Sequence, residues 1–365
     1  MNNRENKRFV PKWVKASFLL LILSTFIYIL AINSVAVADF VNDTVSVLLR
    51  VSVSYVTYLL PFSLFELLIV LLPIIIVLLI VLFFKGAKNA RSRCRVIFSL
   101  VGVVSLILSS YIFMLGIGYR TMPMSQKIGI EDSSDISTEE LYTTTVIVRD
   151  EVNALSELIN RENGESIMPY SIDKLSEKIV SAYGVMNDEY SILTNFTSRA
   201  KPVHFSTVMS DLRISGIYSF FTGEANVNTE YPDYNLPFTV AHELAHQRGI
   251  CRENEANFTA FLVCIASDDP FIRYSGYLNL YEYLSSALYR ADSDLYYEVR
   301  DRLSDSAALD IAASNAVYQA HADSFLGEIN DRINDNYLKL NGTQGTVTYG
   351  YVVRLAVGYY KNGAK

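Results

Sequence analysis

Three long apolar runs in the first third of the chain restrict the folds open to it. They lie at about residues 16–32, 62–84 and 96–118, and each is close to the roughly 20 residues that a helix needs to cross a bilayer. A chain can cross the hydrocarbon of a bilayer only when its backbone N–H and C=O groups hydrogen-bond to one another, as they do in a helix. We therefore expect three transmembrane helices within residues 1–119, in contact with the lipid bilayer.

The first run could instead be a cleavable signal peptide. It lacks a small-residue cleavage site followed by a polar mature start, and two further apolar runs follow it. We therefore expect the first run to be retained as a membrane helix.

Basic residues around the runs predict how the chain crosses the membrane. One group precedes the first run, and a second group lies between the second and third runs. They are Arg4, Lys7, Arg8, Lys12 and Lys15, then Lys85, Lys88, Arg91, Arg93 and Arg95. Because cytoplasmic loops are enriched in Lys and Arg, we predict a cytoplasmic N-terminus and an extracytoplasmic location for residues 120–365.

Residues 41–60, between the first two runs, are ambiguous. They mix Val, Leu and Tyr with Ser, Thr and Arg50, so an interfacial helix, a re-entrant segment and a weak fourth span all stay open. A fourth span would invert the topology of everything that follows, and the basic clusters oppose it. Glu66, near the predicted outer boundary of the second run, is interpreted as a carboxylate at headgroup level.

Charge separates residues 120–365 from the membrane region. Residues 1–119 contain 11 Lys and Arg against 4 Asp and Glu, whereas residues 120–365 contain 20 against 34. A domain with this acidic balance is repelled by nucleic acid, so we exclude nucleic acid as a partner.

Helix and strand signals predict a mainly helical α+β domain. Ser137 resembles the start of a capping box, residues 311–337 read as one long helix, and residues 349–360 as a last helix too short to span. Residues 217–221 and 225–228 predict two strands around a turn. The second strand is our candidate for a sheet edge that receives an extended substrate, with simple packing as the alternative.

Residues 240–246, Val-Ala-His-Glu-Leu-Ala-His, are the strongest candidate for chemistry. On a helix, His242 and His246 share one face because residues four apart lie about one turn apart. Two such imidazoles can hold Zn²⁺, and Glu243 can then act as general base toward the water that the metal activates. A chance match on an exposed amphipathic helix is the alternative, and the apolar residues around the motif favour a core helix instead.

A catalytic zinc site has a third protein ligand, and two carboxylates compete for that place. Gly249 can end the motif helix in the left-handed conformation and turn the chain back toward the metal. Glu253 and Asn257 then share a helical face, so Glu253 could bind zinc while Asn257 hydrogen-bonds a ligand imidazole. Glu255 points to a different side of that helix. We favour Glu253 and leave Glu255 open.

The His-Glu-x-x-His motif, followed by Glu-x-x-Ala-Asn from Glu253, resembles gluzincin-type metallopeptidases, including CAAX-protease-like and ImmA/IrrE-like enzymes. This resemblance implies a zincin-like fold with Glu253 as third zinc ligand and Asn257 where Asp often stands. The gap between His246 and Glu253 is shorter than in most gluzincins. Arg252 occupies the position of the third histidine of metzincins, which argues against that subclass.

The whole chain resembles the bacterial membrane family DUF3810. The resemblance rests on the N-terminal apolar segments, residues 237–249 and 253–258, and on Tyr337-Leu338-Lys339 with Asn341-Gly342. Membership implies a zincin-like peptidase by motif alone and specifies no substrate. It also implies a bacterial cell membrane as the location.

These features predict a membrane-anchored zinc metallopeptidase that acts on a protein or peptide. Two alternatives stay open: a non-catalytic receptor or scaffold that keeps a zincin fold, and a zinc amidase acting on a cell-wall component. The intact Glu243 disfavours the scaffold, because a purely structural metal site needs no base.

Other polar residues are weaker candidates. His204 and His321 are interpreted as surface or core histidines, while Tyr231 and Tyr234 could donate to an oxyanion. Cysteines define no disulfide framework. One bridge between Cys251 and Cys264 is possible, and Cys251 could also bind metal, but we favour packing or free thiols.

Overall fold

The computed structural model describes residues 10–81, 83–84, 90–130, 136–342 and 349–363. Its membrane region begins with α1 (Lys12–Asn33), α2 (Val35–Val41), a π-helical turn (Asn42–Ser46), α3 (Val47–Tyr58), α4 (Leu64–Val81) and α5 (Ala90–Tyr111). A π-helical turn (Ile112–Gly116) and a 3-10 turn (Gly118–Arg120) extend α5. Five of the predicted basic residues lie outside the described residues: Arg4, Lys7, Arg8, Lys85 and Lys88.

Three of these helices are long and apolar enough to cross a membrane: α1, α4 and a segment of residues 92–120 that contains most of α5. They coincide with the three predicted runs. α1 and α5 pack against each other, helped by small residues such as Ser24 and Ser109, whose hydroxyls lie 3.3 Å apart. By contrast, none of the residues of α4 is buried.

The ambiguous residues 41–60 form helical structure that packs on the rest of the protein. α2, the π-helical turn and α3 follow one another without a break over residues 35–58, but this stretch is not among the helices long and apolar enough to cross a membrane. Arg50 of α3 is fully buried and donates to the side chain of Asn42 at 3.1 Å and to its carbonyl oxygen at 3.0 Å. The Ser54 hydroxyl donates to the Gly223 carbonyl oxygen at 2.9 Å. The Ser54 contact ties α3 to the C-terminal domain, which comprises residues 120–365.

Helices dominate the described part of the C-terminal domain. They are α6 (Met124–Lys127), α7 (Thr138–Ser156), α8 (Ile172–Tyr190), α9 (Ser206–Asp211), α10 (Asn235–Arg248), α11 (Glu253–Ile265), α12 (Pro270–Ala291), α13 (Ser293–Arg300), α14 (Asp305–Ala320), α15 (Phe325–Leu340) and α16 (Tyr349–Lys361). A large apolar core joins α10 and α11 to α8, α12 and α16. The last helix therefore docks onto the domain.

Local signals fix several helix ends. The predicted capping box at Ser137 is present, because its hydroxyl accepts from the Glu140 N–H while the Glu140 carboxylate accepts from the Ser137 N–H. The single helix predicted over residues 311–337 is wrong. The chain breaks between α14 and α15, where Arg213 donates to the carbonyl oxygen of Ala322. This long-range hydrogen bond satisfies a carbonyl of the turn between the two helices, and no helical periodicity reveals it.

The strands form two small sheets. β1 (Arg161–Glu162) pairs with β2 (Glu165–Ser166), and β3 (Ala200–Pro202), β4 (Gly216–Ser219) and β5 (Glu224–Val227) form a second sheet in the order β3-β5-β4. The two strands predicted around a turn are β4 and β5, which pair antiparallel. The prediction that residues 225–228 form an edge is wrong, because the parallel strand β3 pairs with the other side of β5. The edge beside the His-Glu-x-x-His helix is β4.

Candidate metal centre

The turn between α10 and α11 brings the two predicted motifs together. Gly249 has φ of 99°, the left-handed conformation expected after the helix end. The Gly249 N–H donates to the His246 carbonyl oxygen and the Ile250 N–H to the Ala245 carbonyl oxygen, each at 3.0 Å. A side chain would not fit here, since a Cβ on Gly249 would lie 2.4 Å from the Arg50 guanidinium.

Three side chains converge beyond this turn. The Nε2 atoms of His242 and His246 lie 3.3 Å and 3.5 Å from the two carboxylate oxygens of Glu253. The three ligand atoms all fall within 4.8 Å of one another. Two nitrogens and one carboxylate oxygen are a ligand set that zinc accepts at catalytic sites.

The hydrogen bonding of His246 fits this ligand role. Its Nδ1 lies 2.8 Å from the Ile250 carbonyl oxygen. A carbonyl oxygen can only accept, so Nδ1 carries a proton, and in the neutral imidazole the lone pair on Nε2 then faces Glu253. The same loop that returns the chain therefore also orients the imidazole.

Glu255 and Asn257 have different positions from Glu253. The Glu255 carboxylate is buried away from the convergence and accepts from the Met124 N–H at 3.0 Å and from Arg252 at 2.8 Å. Asn257 lines the same cleft as the three ligands. Within the described residues it makes no hydrogen bond to either imidazole, and the Nδ1 of His242 has no hydrogen-bond partner.

Glu243 lies at the boundary between the cleft and β4. It is buried, and a Cβ added to Gly216 would lie 2.6 Å from one of its oxygens. Burial raises the pKa of Glu243, against the opposing effect of the two imidazoles and a hydrogen bond from the Tyr218 N–H. Only the small residue at position 216 lets the carboxylate lie so close to the strand.

Charges within the cluster alter the pKa values of its members. Burial disfavours the imidazolium of His246, but Glu253 and Glu243 outweigh it and raise the pKa of His246 to about 9. Burial likewise opposes the carboxylate of Glu253, yet the two histidines hold its pKa well below the usual range. Without a metal, the cluster therefore holds an extra proton on an imidazole beside the Glu253 carboxylate. A bound metal ion can replace that positive charge.

A cleft of about 590 Å³ contains the cluster. Its walls come from several parts of the chain: the end of α5 and its extension, β4 and the residues before it, α10 and α11, and the polar faces of α12, α14 and α15. Side chains that the sequence interpretation missed include Tyr111, Leu115, Tyr119, Asn330 and Asn334. They lie far from the motif in sequence, and among the cleft residues near the C-terminus only Tyr337 was noted, as part of the family resemblance.

Residues just after α5 anchor α11, the helix that carries Glu253. Arg252 donates to the Tyr119 carbonyl oxygen at 3.1 Å and to the Thr121 carbonyl oxygen at 2.6 Å. The Glu255 carboxylate accepts a hydrogen bond from the Met124 N–H in the same segment. The boundary predicted between the membrane region (residues 1–119) and the C-terminal domain (residues 120–365) therefore falls within a segment that lines the cleft and contacts α11.

The remaining candidates lie in different environments. Tyr231 lines the cleft, whereas Tyr234 is buried elsewhere and donates to Glu282 at 3.0 Å. His204 is exposed, and the Nδ1 of His321 lies 2.8 Å from Asp211. Neither histidine is part of the cluster.

Cys251 and Cys264 are both buried free thiols. Burial raises the pKa of Cys251 to about 12, so the side chain is a neutral thiol at ordinary pH. It packs against Gly118, where an added Cβ would lie 2.3 Å from its sulfur. The favoured interpretation, packing without a bridge, agrees with these positions.

Comparison with known proteins places the chain in a family. No curated protein and no solved structure matches it. A family model described as a protein of unknown function, DUF3810, matches residues 42–357. This match covers the helices and strands that build the cleft, together with α3, α4 and α5, and so the chain belongs to the DUF3810 family.

Proposed function

We propose that the protein is a membrane-anchored zinc metallopeptidase whose C-terminal domain lies outside the cytoplasm. The observation that carries this proposal is the convergence of His242, His246 and Glu253 within 4.8 Å of one another, beside the buried carboxylate of Glu243. A metal site with a general base at its edge inside a large cleft is suited to hydrolysis.

His242, His246 and Glu253 would hold the metal. Bound there, zinc would polarise the scissile carbonyl and make water a stronger acid. Glu243 would accept a proton from the attacking water and pass it to the leaving amine. Burial raises the pKa of Glu243, which makes this carboxylate a stronger base than an exposed one and so favours its taking up the proton.

The β4 edge offers a way to hold an extended substrate. Residues 214–218 line the cleft, and Gly216 of β4 lies against Glu243. An extended peptide that paired with β4 would gain backbone hydrogen bonds and pass directly in front of the general base. The cleft also presents uncharged polar side chains, such as Asn257, Asn279 and Asn334, which can hydrogen-bond peptide groups without selecting charge.

The positive-inside distribution of Lys and Arg supports the proposed orientation. The short cytoplasmic N-terminus and the loop between α4 and α5 would carry the basic clusters. The acidic C-terminal domain would then lie on the opposite side of the membrane.

The test uses the full chain in detergent, because α5 supplies cleft walls. Zinc content and hydrolysis of a diverse peptide library would be measured for the parent, Glu243→Gln and the control Glu298→Gln, which alters an exposed carboxylate. We expect about one zinc per chain in all three, with turnover reduced by roughly a thousandfold or more only in Glu243→Gln.

Two other outcomes would contradict the proposal. Bound zinc without cleavage of any peptide, but with hydrolysis of cell-wall amides, would establish the amidase alternative. Absence of zinc from the parent after metal supplementation would favour a scaffold.

A further inference from the structure

One wall of the cleft continues a membrane helix. Tyr111 ends α5, and Leu115 and Tyr119 follow in its extension; all three line the cleft. A helix needs roughly 20 residues to cross the hydrocarbon, and about that number separate the basic start of α5 from Tyr111. Tyr111 therefore lies at the membrane boundary on the side of the C-terminal domain, and the cleft begins at that level.

The turn between β4 and β5 lies at the same level. The rings of Phe220 and Tyr111 are 5.6 Å apart, and the Ser110 hydroxyl donates to the Phe220 carbonyl oxygen at 3.4 Å. The ring of Phe221 is 5.8 Å from that of Phe65, the second residue of α4. One phenylalanine of the turn therefore contacts α5 and the next contacts α4.

Below this turn, α4 stands apart from the other candidate spans. α1 and α5 pack against each other, whereas no residue of α4 is buried. Yet α4 is firmly held at its domain end, where the Glu224 carboxylate accepts from the N–H groups of Leu64 at 3.0 Å and Phe65 at 2.8 Å. A carboxylate at a helix N-terminus is a favourable cap. The domain thus holds the start of α4 beside the Phe220–Phe221 turn, whose other phenylalanine contacts the end of α5.

β4 connects the Phe220–Phe221 turn with the candidate base, Glu243. The strand starts at Gly216, beside Glu243, and Phe220 follows its last residue, Ser219. Four residues of strand cover about 13 Å at roughly 3.3 Å each. A peptide extended along β4 would therefore run from Glu243 to the membrane boundary in about four residues.

The end of α15 adds apolar surface at this boundary. Tyr111 donates to the side chain of Asn341 at 2.7 Å, which places the end of α15 beside the end of α5. The adjacent Leu340 is 82% exposed and Ile333, on the same helix, is 61% exposed. Leu340, which adjoins Asn341, lies at this level, and its exposed apolar side chain suits contact with lipid rather than water.

We propose that the substrate is a polypeptide with its own transmembrane helix, which docks between α4 and α5 and is cut about four to six residues from its membrane boundary. This inference rests on the proposed peptidase function. The anchor helix would lie against the unburied face of α4, and the adjoining extended segment would pass the Phe220–Phe221 turn and pair with β4. The spacing between the membrane boundary and Glu243 then sets the cleavage position.

The first experiment measures cleavage position with the full chain in lipid nanodiscs. One library sequence would be presented as a soluble peptide, fused directly to a single apolar helix, fused through a flexible linker of 20 residues, or attached to a diacyl lipid. We expect the direct helix fusion to be cut at least about tenfold faster than the others, at a fixed distance from the helix when the sequence is shifted. The long-linker form is equally enriched at the membrane and so controls for local concentration.

The second experiment detects docking independently of turnover. In Glu243→Gln protein, Leu72→Cys or Ile74→Cys would be cross-linked to a cysteine in the substrate helix. Leu72 shares the face of Phe65, whereas Ile74 lies on the opposite face of α4. Both side chains are exposed and lie at nearly the same depth, so they are a matched pair. We expect at least about fivefold more cross-linking from Leu72→Cys.

Equal cross-linking from the two faces would overturn the docking site, and so would equal cutting of the helix-anchored and lipid-anchored forms. Cutting of the soluble and long-linker forms at the same rate and position as the direct fusion would overturn the substrate class while leaving the peptidase proposal intact. If no form is cut although zinc is bound, the proposed function fails, and face-selective cross-linking then decides whether a membrane helix docks there.

Discussion

Two clusters of ionisable groups differ in how their atoms are paired: one is the buried pair Lys201 and Glu224, and the other is the partly buried set His242, His246 and Glu253. Lys201 donates to Glu224 and also to the carbonyl oxygens of Thr57 and Phe62, each at 2.8 Å. Glu224 in turn caps α4. In this pair the ammonium group donates only to oxygen acceptors of the chain, and the carboxylate accepts from the ammonium group and from backbone N–H groups.

The His242, His246 and Glu253 cluster has the opposite character. In the neutral form of His246, which is the form that binds a metal, Nδ1 carries the proton, and Nε2 is an acceptor that faces a carboxylate able only to accept. Converging acceptors are stabilised when a cation lies between them. The comparison teaches that burial of charged groups does not identify a functional site, whereas acceptors that converge on a cleft do.

The largest effect that we expect from this difference between the clusters is loss of zinc when Glu253 is replaced. In Glu253→Gln we expect zinc affinity to fall roughly 100-fold or more, because the anionic ligand is lost. In Glu255→Gln zinc should be retained, since that carboxylate binds Met124 and Arg252 instead. Competition with a chromogenic chelator measures both. If Glu255→Gln lost zinc and Glu253→Gln kept it, our choice of third ligand would be wrong.

A smaller effect is expected at the paired cluster. Lys201→Met leaves Glu224 buried without its cation, so we expect a loss of about 3 kcal/mol in the free energy of unfolding. Zinc stoichiometry should remain unchanged. Thermal unfolding in detergent with parallel metal analysis provides the measurement, and the exposed Lys174→Met, which breaks a surface ion pair, is the control.

Recovery of stability in Lys201→Met combined with Glu224→Gln would support this explanation, because the uncompensated charge is then removed as well. Equal destabilisation by the single and double changes would point to packing as the cause. Loss of zinc in either variant would show that the two clusters are coupled, and the contrast between them would fail.

The smallest effect concerns a buried carboxylate outside both clusters. Burial raises the pKa of Glu282 from 4.5 to about 7, against a hydrogen bond from Tyr234. The folded state therefore holds its proton more tightly than the unfolded state. Its stabilising contribution is complete below pH 4.5 and is lost as the pH rises to about 7.

We expect this loss to reach about 1–2 kcal/mol, allowing for partial solvent access. Glu282→Gln should remove that part of the pH dependence and be more stable than the parent at pH 8. Unfolding temperatures recorded across the pH range would show it. An unchanged pH profile in the variant would assign the dependence to other groups.

Much of the fold follows from local sequence signals. The three apolar runs, the capping box at Ser137 and the left-handed turn at Gly249 all appear where the sequence predicts them. Each depends on neighbours within a few residues, so periodicity and capping rules suffice. The failed predictions, a single helix over residues 311–337 and an edge at residues 225–228, depended on Arg213 and β3, which reach these elements from elsewhere in the chain.

For the candidate site, the sequence by itself determined the pair of imidazoles and the carboxylate between them, because the helical period alone sets their spacing. The sequence favoured Glu253 over Glu255 as third ligand, and the tertiary structure places Glu253, not Glu255, beside the two histidines. Helical geometry puts these carboxylates on different faces, but the contacts of Arg252 with Tyr119 and Thr121 decide which face turns toward the histidines. The same long-range packing places the end of α5 in the cleft wall, because side chains distant in sequence meet only once the core has formed.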